Sequence, residues 1–242
     1  MNVDKEVDLA VVGAGLVGAL MALLLAEKGY RVHLFERRPD MRINEIGAGR
    51  SINLNISCRG LEGLRRVGAL EAVMPDLIPL RGRMMHSKEG ELTYQPYGKD
   101  DTEYGNSVSR GGLNKILLER AEETGLVEIH FNQKASEVDY HNNIIVFEDR
   151  KSGARNVVKA KRIIGTDGAG SCIRESMMKM EGYQCSIESL DYGYKELCIP
   201  PAENGGFRVE KEALHIWPRG DFMQIALPNC DGSFTVTLFL PF

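Results

Sequence analysis

Apolar and polar positions follow two rhythms along the chain, and the changes of rhythm mark out its elements. Val7–Val12 is a short unbroken apolar run, of a length that suits a strand buried on both faces. A glycine-rich turn, Gly13 to Gly18, overlaps the start of a helical stretch from Leu16 to Lys28 that ends at Gly29, and Arg31–Phe35 predicts a second strand. A unit of this kind makes a parallel pair with a right-handed crossover. After a loop of mixed charge from Arg38 to Arg50, Leu61, Leu64 and Val67 share one face of a helix predicted over Ser57–Val67. From Leu77 to Gly105 the pattern becomes one of short strands and turns, with Lys88-Glu89-Gly90 as a hairpin turn. Ser109 opens an amphipathic helix through Glu123, with Leu113, Ile116, Leu117 and Ala121 on its apolar side.

Strands are predicted next around Val127–Phe131, Ala135–Tyr140, Asn143–Glu148 and Val157–Gly165. Beyond Gly182 the chain is β-rich again, over Tyr192–Ile199, Ala213–Trp217, Phe222–Leu227 and Ser233–Leu240. The α/β and antiparallel segments interleave. The expected fold class is therefore α/β with two discontinuous domains, residues 1–70 with 106–180 and residues 71–105 with 181–242. The sequence shows no internal repeat and no Pro- or Ser-rich linker.

Composition narrows the class. The 242 residues carry 30 basic and 34 acidic side chains, a net charge of −4, with 43% hydrophobic and 26% charged positions. Such a chain is neither disordered nor collagen-like, and its mild acidity argues against nucleic acid as a partner. The longest apolar stretch, Leu9–Ala26, is broken by Gly13, Gly15 and Gly18 and falls short of the roughly 20 residues that span a bilayer. The opening MNVDKEVDLAVVGAG lacks a secretory signal, so a cytoplasmic protein is expected. Five cysteines (Cys58, Cys172, Cys185, Cys198 and Cys230) form no C-x-x-C pair and are expected to be reduced and mostly buried. His86, His130 and His215 share no metal-ligand spacing, and no metal is expected. Arg65-Arg66 reads as a solvated helix face. Trp217, Leu214, Ile216, Phe222, Met223, Ile225 and Leu227 make apolar strand faces, for which core packing is the default reading.

The sharpest chemical signal is Gly13-Ala14-Gly15-Leu16-Val17-Gly18, a G-x-G-x-x-G placed after a strand and at the opening of a helix. There the glycines let the backbone approach a pyrophosphate, and the helix N-terminus offers free N–H groups and the positive end of its dipole. Glu36 stands 18 residues after Gly18 at the end of the second strand, where a carboxylate accepts hydrogen bonds from ribose hydroxyls and disfavours a 2′-phosphate. FAD or NAD is thus favoured over NADP as the bound nucleotide, although Arg37 and Arg38 could hold a phosphate or stack on adenine.

Gly165-Thr166-Asp167-Gly168-Ala169-Gly170-Ser171-Cys172-Ile173-Arg174, after a strand and before a helix, resembles the G-x-D-G-x-x-S-x-x-R signature of single-component flavoprotein aromatic hydroxylases. GRSINL (Gly49–Leu54), RGRMMHS (Arg81–Ser87), PYG (Pro96–Gly98), SVSR with LNK (Ser107–Lys115), HFN (His130–Asn132), LHIWPR (Leu214–Arg219) and the closing ALPN…SFTVTLFLPF make the chain similar to the kynurenine 3-monooxygenase family throughout. Gly111-Gly112 and Asn55 depart from that family's usual residues.

The resemblance implies a Rossmann-like FAD-binding domain with an interleaved, mostly antiparallel substrate-binding sheet, as in p-hydroxybenzoate hydroxylase. It implies FAD as cofactor and NADPH and O2 as co-substrates in the hydroxylation of L-kynurenine to 3-hydroxykynurenine through a flavin hydroperoxide, with no catalytic side chain. Val17, Glu36, Arg38, Asn55, Arg110 and Ala135 occupy flavin-contact positions, joined by Gly13, Gly15, Gly18 and Asp167, while Arg174 anchors the local turn. Arg83 and Tyr97 occupy the substrate-carboxylate positions, with Arg81 as the competitor two residues away. A planar guanidinium with a tyrosine hydroxyl suits the carboxylate of an amino-acid substrate. A hydroxylase of another aromatic acid and a truncated, non-catalytic flavin-binding module are the alternatives. The chain covers about half of the family's usual architecture and reads as an N-terminal portion. A C-terminal anchor would place a family member at the mitochondrial outer membrane, whereas bacterial members are cytoplasmic.

Overall fold

The apolar run that opens the sequence forms the third strand from one flank of a six-stranded sheet and pairs on both sides. In the computed structural model, which describes residues 2–43, 53–100 and 102–242, the elements follow in chain order. They are β1 (Lys5–Val12), α1 (Leu16–Glu27), β2 (Val32–Phe35), β3 (Asn53–Ile56), α2 (Cys58–Arg66), α3 (Leu70–Val73), β4 (Ile78–Leu80), β5 (Gly82–His86), β6 (Leu92–Pro96) and β7 (Gly105–Ser109). There follow α4 (Arg110–Glu123), β8 (Val127–His130), β9 (Gln133–Asp139), β10 (Ile144–Asp149), β11 (Arg155–Gly165), α5 (Cys172–Met177), β12 (Tyr192–Ile199), β13 (Ala213–Arg219), β14 (Phe222–Pro228) and β15 (Phe234–Pro241). The Gly49–Leu54 motif and the end of the Arg38–Arg50 loop fall largely outside the described residues.

The chain divides into two units, Met1–Gly47 with Asn114–Ile187, and Ala48–Leu113 with Glu188–Phe242. In the first, the strand order is β8-β2-β1-β11-β10-β9, parallel from β8 to β11 and antiparallel beyond. The β1-α1-β2 crossover is the parallel unit that the sequence predicts. Helix α1 buries a face of small residues, Gly18, Ala19, Ala22 and Ala26, with Leu23 among them. Val7, Ala10, Val12, Phe35, Ile145, Phe147, Val158, Ala160 and Ile173 close the core of this unit.

In the second unit the order β12-β15-β14-β13-β5-β6 is antiparallel except for the parallel pair β13–β5. A smaller antiparallel sheet, β3-β7-β4, belongs to the same unit. Strands β3 and β7, grouped by sequence pattern with the first domain, lie in the second unit because they pair with each other and β7 pairs with β4. Asn53 knits this sheet to the strand end at Pro228: its amide donates to the Pro228 carbonyl at 2.9 Å and to Asn229 Oδ1 at 2.6 Å. The hairpin turn forms as predicted, with Ser87 N donating to the Glu91 carbonyl at 2.9 Å.

Two expectations change. The cysteines are free as predicted, but Cys58, Cys198 and Cys230 are exposed rather than buried, since each lies at an element start, on an open strand or in a turn. Phe222 and Met223, read by default as core, are exposed, whereas Trp217 packs against the Ala226–Phe234–Val236 cluster. Arg65 and Arg66 lie on a solvated face as expected, and both pair with Glu62.

His215 is buried beside this cluster, where its ring meets Phe234 edge-on. Its Nε2 lies 2.6 Å from the Glu210 carbonyl, which can only accept, so Nε2 carries the proton. With His215 neutral, Nδ1, 2.9 Å from His86 Nε2, accepts from His86. Burial holds both imidazoles below their ordinary pKa. Because the folded-state values lie under the unfolded value of about 6.5, unfolding takes up protons, and stability is lost as pH falls below that value. The melting temperature is expected to drop between pH 7.5 and pH 5, and His86→Gln is expected to flatten that slope. An unchanged slope in the variant would show that the pair does not carry the dependence.

Candidate functional site

The first unit brings the two glycine-bearing turns of the sequence side by side. β1 and β11 end in register, Val12 opposite Gly165, so the turn after each strand emerges at the same edge. Gly13 has φ +101°, and a side chain there would also press within 2.5 Å of the Thr166 carbonyl oxygen. A methyl on Gly18 would lie 1.8 Å from the Gly13 carbonyl oxygen and 2.7 Å from Thr166 Oγ1. The Thr166 hydroxyl sits 2.9 Å from the Val12 oxygen and 2.8 Å from the Gly13 oxygen, one donor shared by two carbonyls.

Gly15 differs from these two glycines. Among the described residues nothing lies within 4 Å of where its side chain would be. α1 starts there without a side-chain cap and without a carboxylate in its first turn, and its first intrahelical bond runs from Ala19 N to the Gly15 oxygen. The N–H groups of Leu16, Val17 and Gly18 precede that bond, and Val17 is 65% exposed. Open space in front of an uncapped, uncharged helix start is the environment that a pyrophosphate fits.

Glu36 is buried at the end of β2. Its Oε2 accepts from Ala14 N at 2.9 Å, and its Oε1 accepts from Arg38 N at 3.0 Å and from Arg38 Nε at 2.9 Å. The carboxylate is thereby fixed beside the glycine turn, with acceptor capacity left for ribose hydroxyls. Asp167 accepts from Ser171 Oγ at 2.6 Å and from Ile173 N at 3.3 Å, while Ser171 caps α5 through Arg174 N at 3.0 Å. The Arg174 guanidinium donates to the Ala169 carbonyl, closing the Asp-Gly turn.

Gly13, Gly15, Val17, Gly18, Glu36, Arg38 and Asp167 are thus gathered at one end of the sheet. Ala135 lies on β9, opposite Phe147 next to a register shift and packed against the core, two residues after Gln133, whose N–H donates to the Glu36 carbonyl at 2.8 Å. Sequence reasoning missed Asn114. This α4 residue is 5% exposed; its Nδ2 donates to the Ala14 carbonyl at 3.1 Å, and its buried Oδ1 has no partner among the described residues. A signal was present: Asn114 sits on the same stripe as Leu117, Leu118 and Ala121, where an amide on an apolar face must have a polar partner.

In the second unit, Asn55 pairs in register with Ser107 and its side chain lies over Gly105, leaving no room there for a Cβ. Arg110 is exposed at the first position of α4, directly after Ser109, whose hydroxyl accepts from Gly112 N at 3.2 Å. Arg83 and Tyr97 come together: the guanidinium carbon lies 5.2 Å from the tyrosine ring centroid. The neighbouring Arg81 is bound to Glu212 at 2.7 Å and lies over Tyr104. Among the described residues no carboxylate pairs with Arg83, which is exposed.

A mixed sheet with a glycine turn at the head of its first helix, a buried acid at the end of its second strand and an Asp-Gly turn after the returning parallel strand defines a flavin-nucleotide-binding class of protein. The model of the FAD-binding domain family matches residues 6–203, and the chain belongs to that family. Among its relatives, the kynurenine 3-monooxygenase of Myxococcus xanthus is 49% identical over 241 residues, covering 100% of this chain and 52% of the relative. That of Stenotrophomonas maltophilia is 46% identical over 234 residues, covering 97% and 51%. The chain spans about half the length of the curated relatives it matches. Among solved structures, 2-methyl-3-hydroxypyridine-5-carboxylic acid oxygenase superposes with a TM-score of 0.77 at 21% identity, over 98% of this chain and 59% of that one. Pseudomonas aeruginosa PqsL in complex with 2-aminobenzoylacetate gives 0.74 at 17%, over 98% and 61%; both matches show the fold.

The glycine geometry separates folding from binding. Gly18→Ala forces a methyl into backbone and is expected to cost about 1–3 kcal/mol of stability. Gly15→Ala enters open space at an extended backbone position and is expected to cost at most about 1 kcal/mol as an altered cap, yet to weaken FAD binding at least about tenfold by standing where the pyrophosphate approaches. Thermal melts and flavin-fluorescence titrations check both, and equal FAD affinity in Gly15→Ala would place the phosphates elsewhere.

Proposed function

We propose that this chain is the flavin-binding and substrate-anchoring part of a monooxygenase that uses FAD and NADPH to hydroxylate L-kynurenine to 3-hydroxykynurenine. One observation carries the reading: the 45–49% identity to kynurenine 3-monooxygenases runs through both units, so it includes the β5–β6 segment with Arg83 and Tyr97 as well as the glycine turns. Bound FAD supplies the redox chemistry, by which two electrons from NADPH reduce O2, one oxygen atom enters the aromatic ring and the other leaves as water.

The chain's own residues bind and orient. The head of α1 and the open face at Gly15 receive the pyrophosphate, and Glu36 takes the ribose hydroxyls. Val17, Arg38, Asn55, Arg110, Ala135 and Asp167 complete the flavin contacts by their match to the family's positions. Arg83 grips the substrate carboxylate with two parallel hydrogen bonds, and the Tyr97 hydroxyl adds a third. Its fixed position over the Tyr97 ring reduces the ordering needed on binding, and the absence of a competing carboxylate among the described residues leaves its donors for the ligand. Arg81, held by Glu212, supports the strand instead. No side chain is required as nucleophile; the protein holds the ring in place and keeps water from the flavin.

The purified protein is expected to be yellow and to oxidise NADPH in response to L-kynurenine. Arg83→Ala is expected to raise KM about ten- to a hundredfold, the range for losing a charged hydrogen-bonded anchor, with FAD content unchanged. Arg81→Ala is expected to lower the melting temperature with little change in KM. A reversed pattern would move the anchor to Arg81, response to a different aromatic acid would change the substrate, and a colourless, inert protein would reduce the chain to a non-catalytic module.

A further inference from the structure

Away from the glycine turns, three metal-ligating side chains converge at the flank of the first sheet. His33 of β2 is paired in parallel register with Glu128 of β8, and Phe35 with His130. Alternation along the two strands puts all three ligand-bearing side chains on one face, although His33 and His130 are 97 residues apart in sequence. His33 Nδ1 lies 3.0 Å from His130 Nε2, Glu128 Oε2 lies 3.3 Å from His33 Nδ1, and Glu128 Oε1 lies 3.4 Å from His130 Nε2. Ligand bonds of about 2.1 Å in a tetrahedral site set neighbouring donor atoms about 3.4 Å apart, so the spacing is already close to that of a bound ion.

We propose that His33, Glu128 and His130 form a binding site for a divalent transition-metal ion of the zinc type, distinct from the flavin site and independent of the reading above. Two imidazoles and one carboxylate are the donor set such ions take, with a fourth position left to water.

The site is built in advance of the ion. The two histidine rings are stacked at 5.3 Å, His130 stacks on Phe35 at 4.6 Å, and Phe35 stacks on Phe147 at 4.2 Å, which fixes the imidazole orientation from the core outward. Lys5 donates at 3.0 Å to Glu128 Oε1, the oxygen that faces His130, and leaves Oε2 turned to His33. His33 also lines an open cleft of about 780 Å³. Bound there, the ion joins β8 to β2 and adds to the stability of the sheet's flank.

Zinc titrated into the purified chain by calorimetry is expected to bind with a defined site of one ion per chain, to raise the melting temperature, and to do neither when magnesium replaces it. Cobalt is expected to give visible bands of a nitrogen–oxygen site without a thiolate charge-transfer band. Glu128→Gln, on an exposed side chain, and His33→Gln are each expected to weaken zinc binding at least tenfold while the metal-free melting temperature changes little for Glu128→Gln. Zinc binding that survives both substitutions, or a thiolate band pointing to the free cysteines, would overturn the proposal, as would no binding at all.

Discussion

The parallel pairing of β1 with β11 is the constraint on which the candidate flavin site depends. It joins residues 5–12 to residues 158–165, with the intervening chain leaving and returning, and it ends Val12 opposite Gly165. The two turns that follow are then forced into contact. The contact is tight enough that Gly13 and Gly18 cannot carry side chains, and Thr166 secures it by sharing its hydroxyl between the Val12 and Gly13 carbonyls. A shift of one residue would turn the alternating side chains of β11 to the opposite face and carry Thr166 away from the glycine turn. Glu36 and Asn114 hold the same turn from two other directions, one accepting from the Ala14 N–H and the other donating to the Ala14 carbonyl. Ala14 therefore has both backbone polar groups occupied, while Gly15, the next residue, faces open space. Rigidity immediately behind the open position gives a phosphate site its pre-organisation.

Local patterns in the sequence made most of this legible. The unbroken apolar runs of β1 and β11, the helix between Gly15 and Gly29 and the period-two strands after Gly182 are all local signals, and each produced its element within a residue or two. Glycine spacing and Glu36 were also local, since a turn and the strand beyond it lie within one supersecondary unit. The pairing partners were much harder to read. Nothing in β3 or β7 says that they join each other in a separate small sheet, because register is decided by contacts between distant segments. Asn114 escaped for the same reason: its helix reads as apolar on that side, and the carbonyl it serves comes from residue 14. The exposure of Cys58, Cys198 and Cys230 follows from where each element falls on the surface, which the tendency of thiols to be buried does not determine.

The two arginines of the β5 region show how one residue type acquires two roles. Arg81 and Arg83 are separated by one glycine and both lie over a tyrosine ring, Tyr104 and Tyr97 respectively. The difference is Glu212, whose carboxylate binds Arg81 at 2.7 Å and whose backbone oxygen takes the Arg81 N–H at 2.8 Å. A guanidinium already neutralised in this way gains little from a ligand carboxylate, because binding would exchange one charge-assisted partner for another. Arg83 has an aromatic face and no carboxylate partner among the described residues, so an incoming carboxylate adds to its interactions. Sequence alone offers both arginines on equal terms, and only the partner brought in by β13, from more than a hundred residues further along the chain, distinguishes the structural arginine from the one poised to bind.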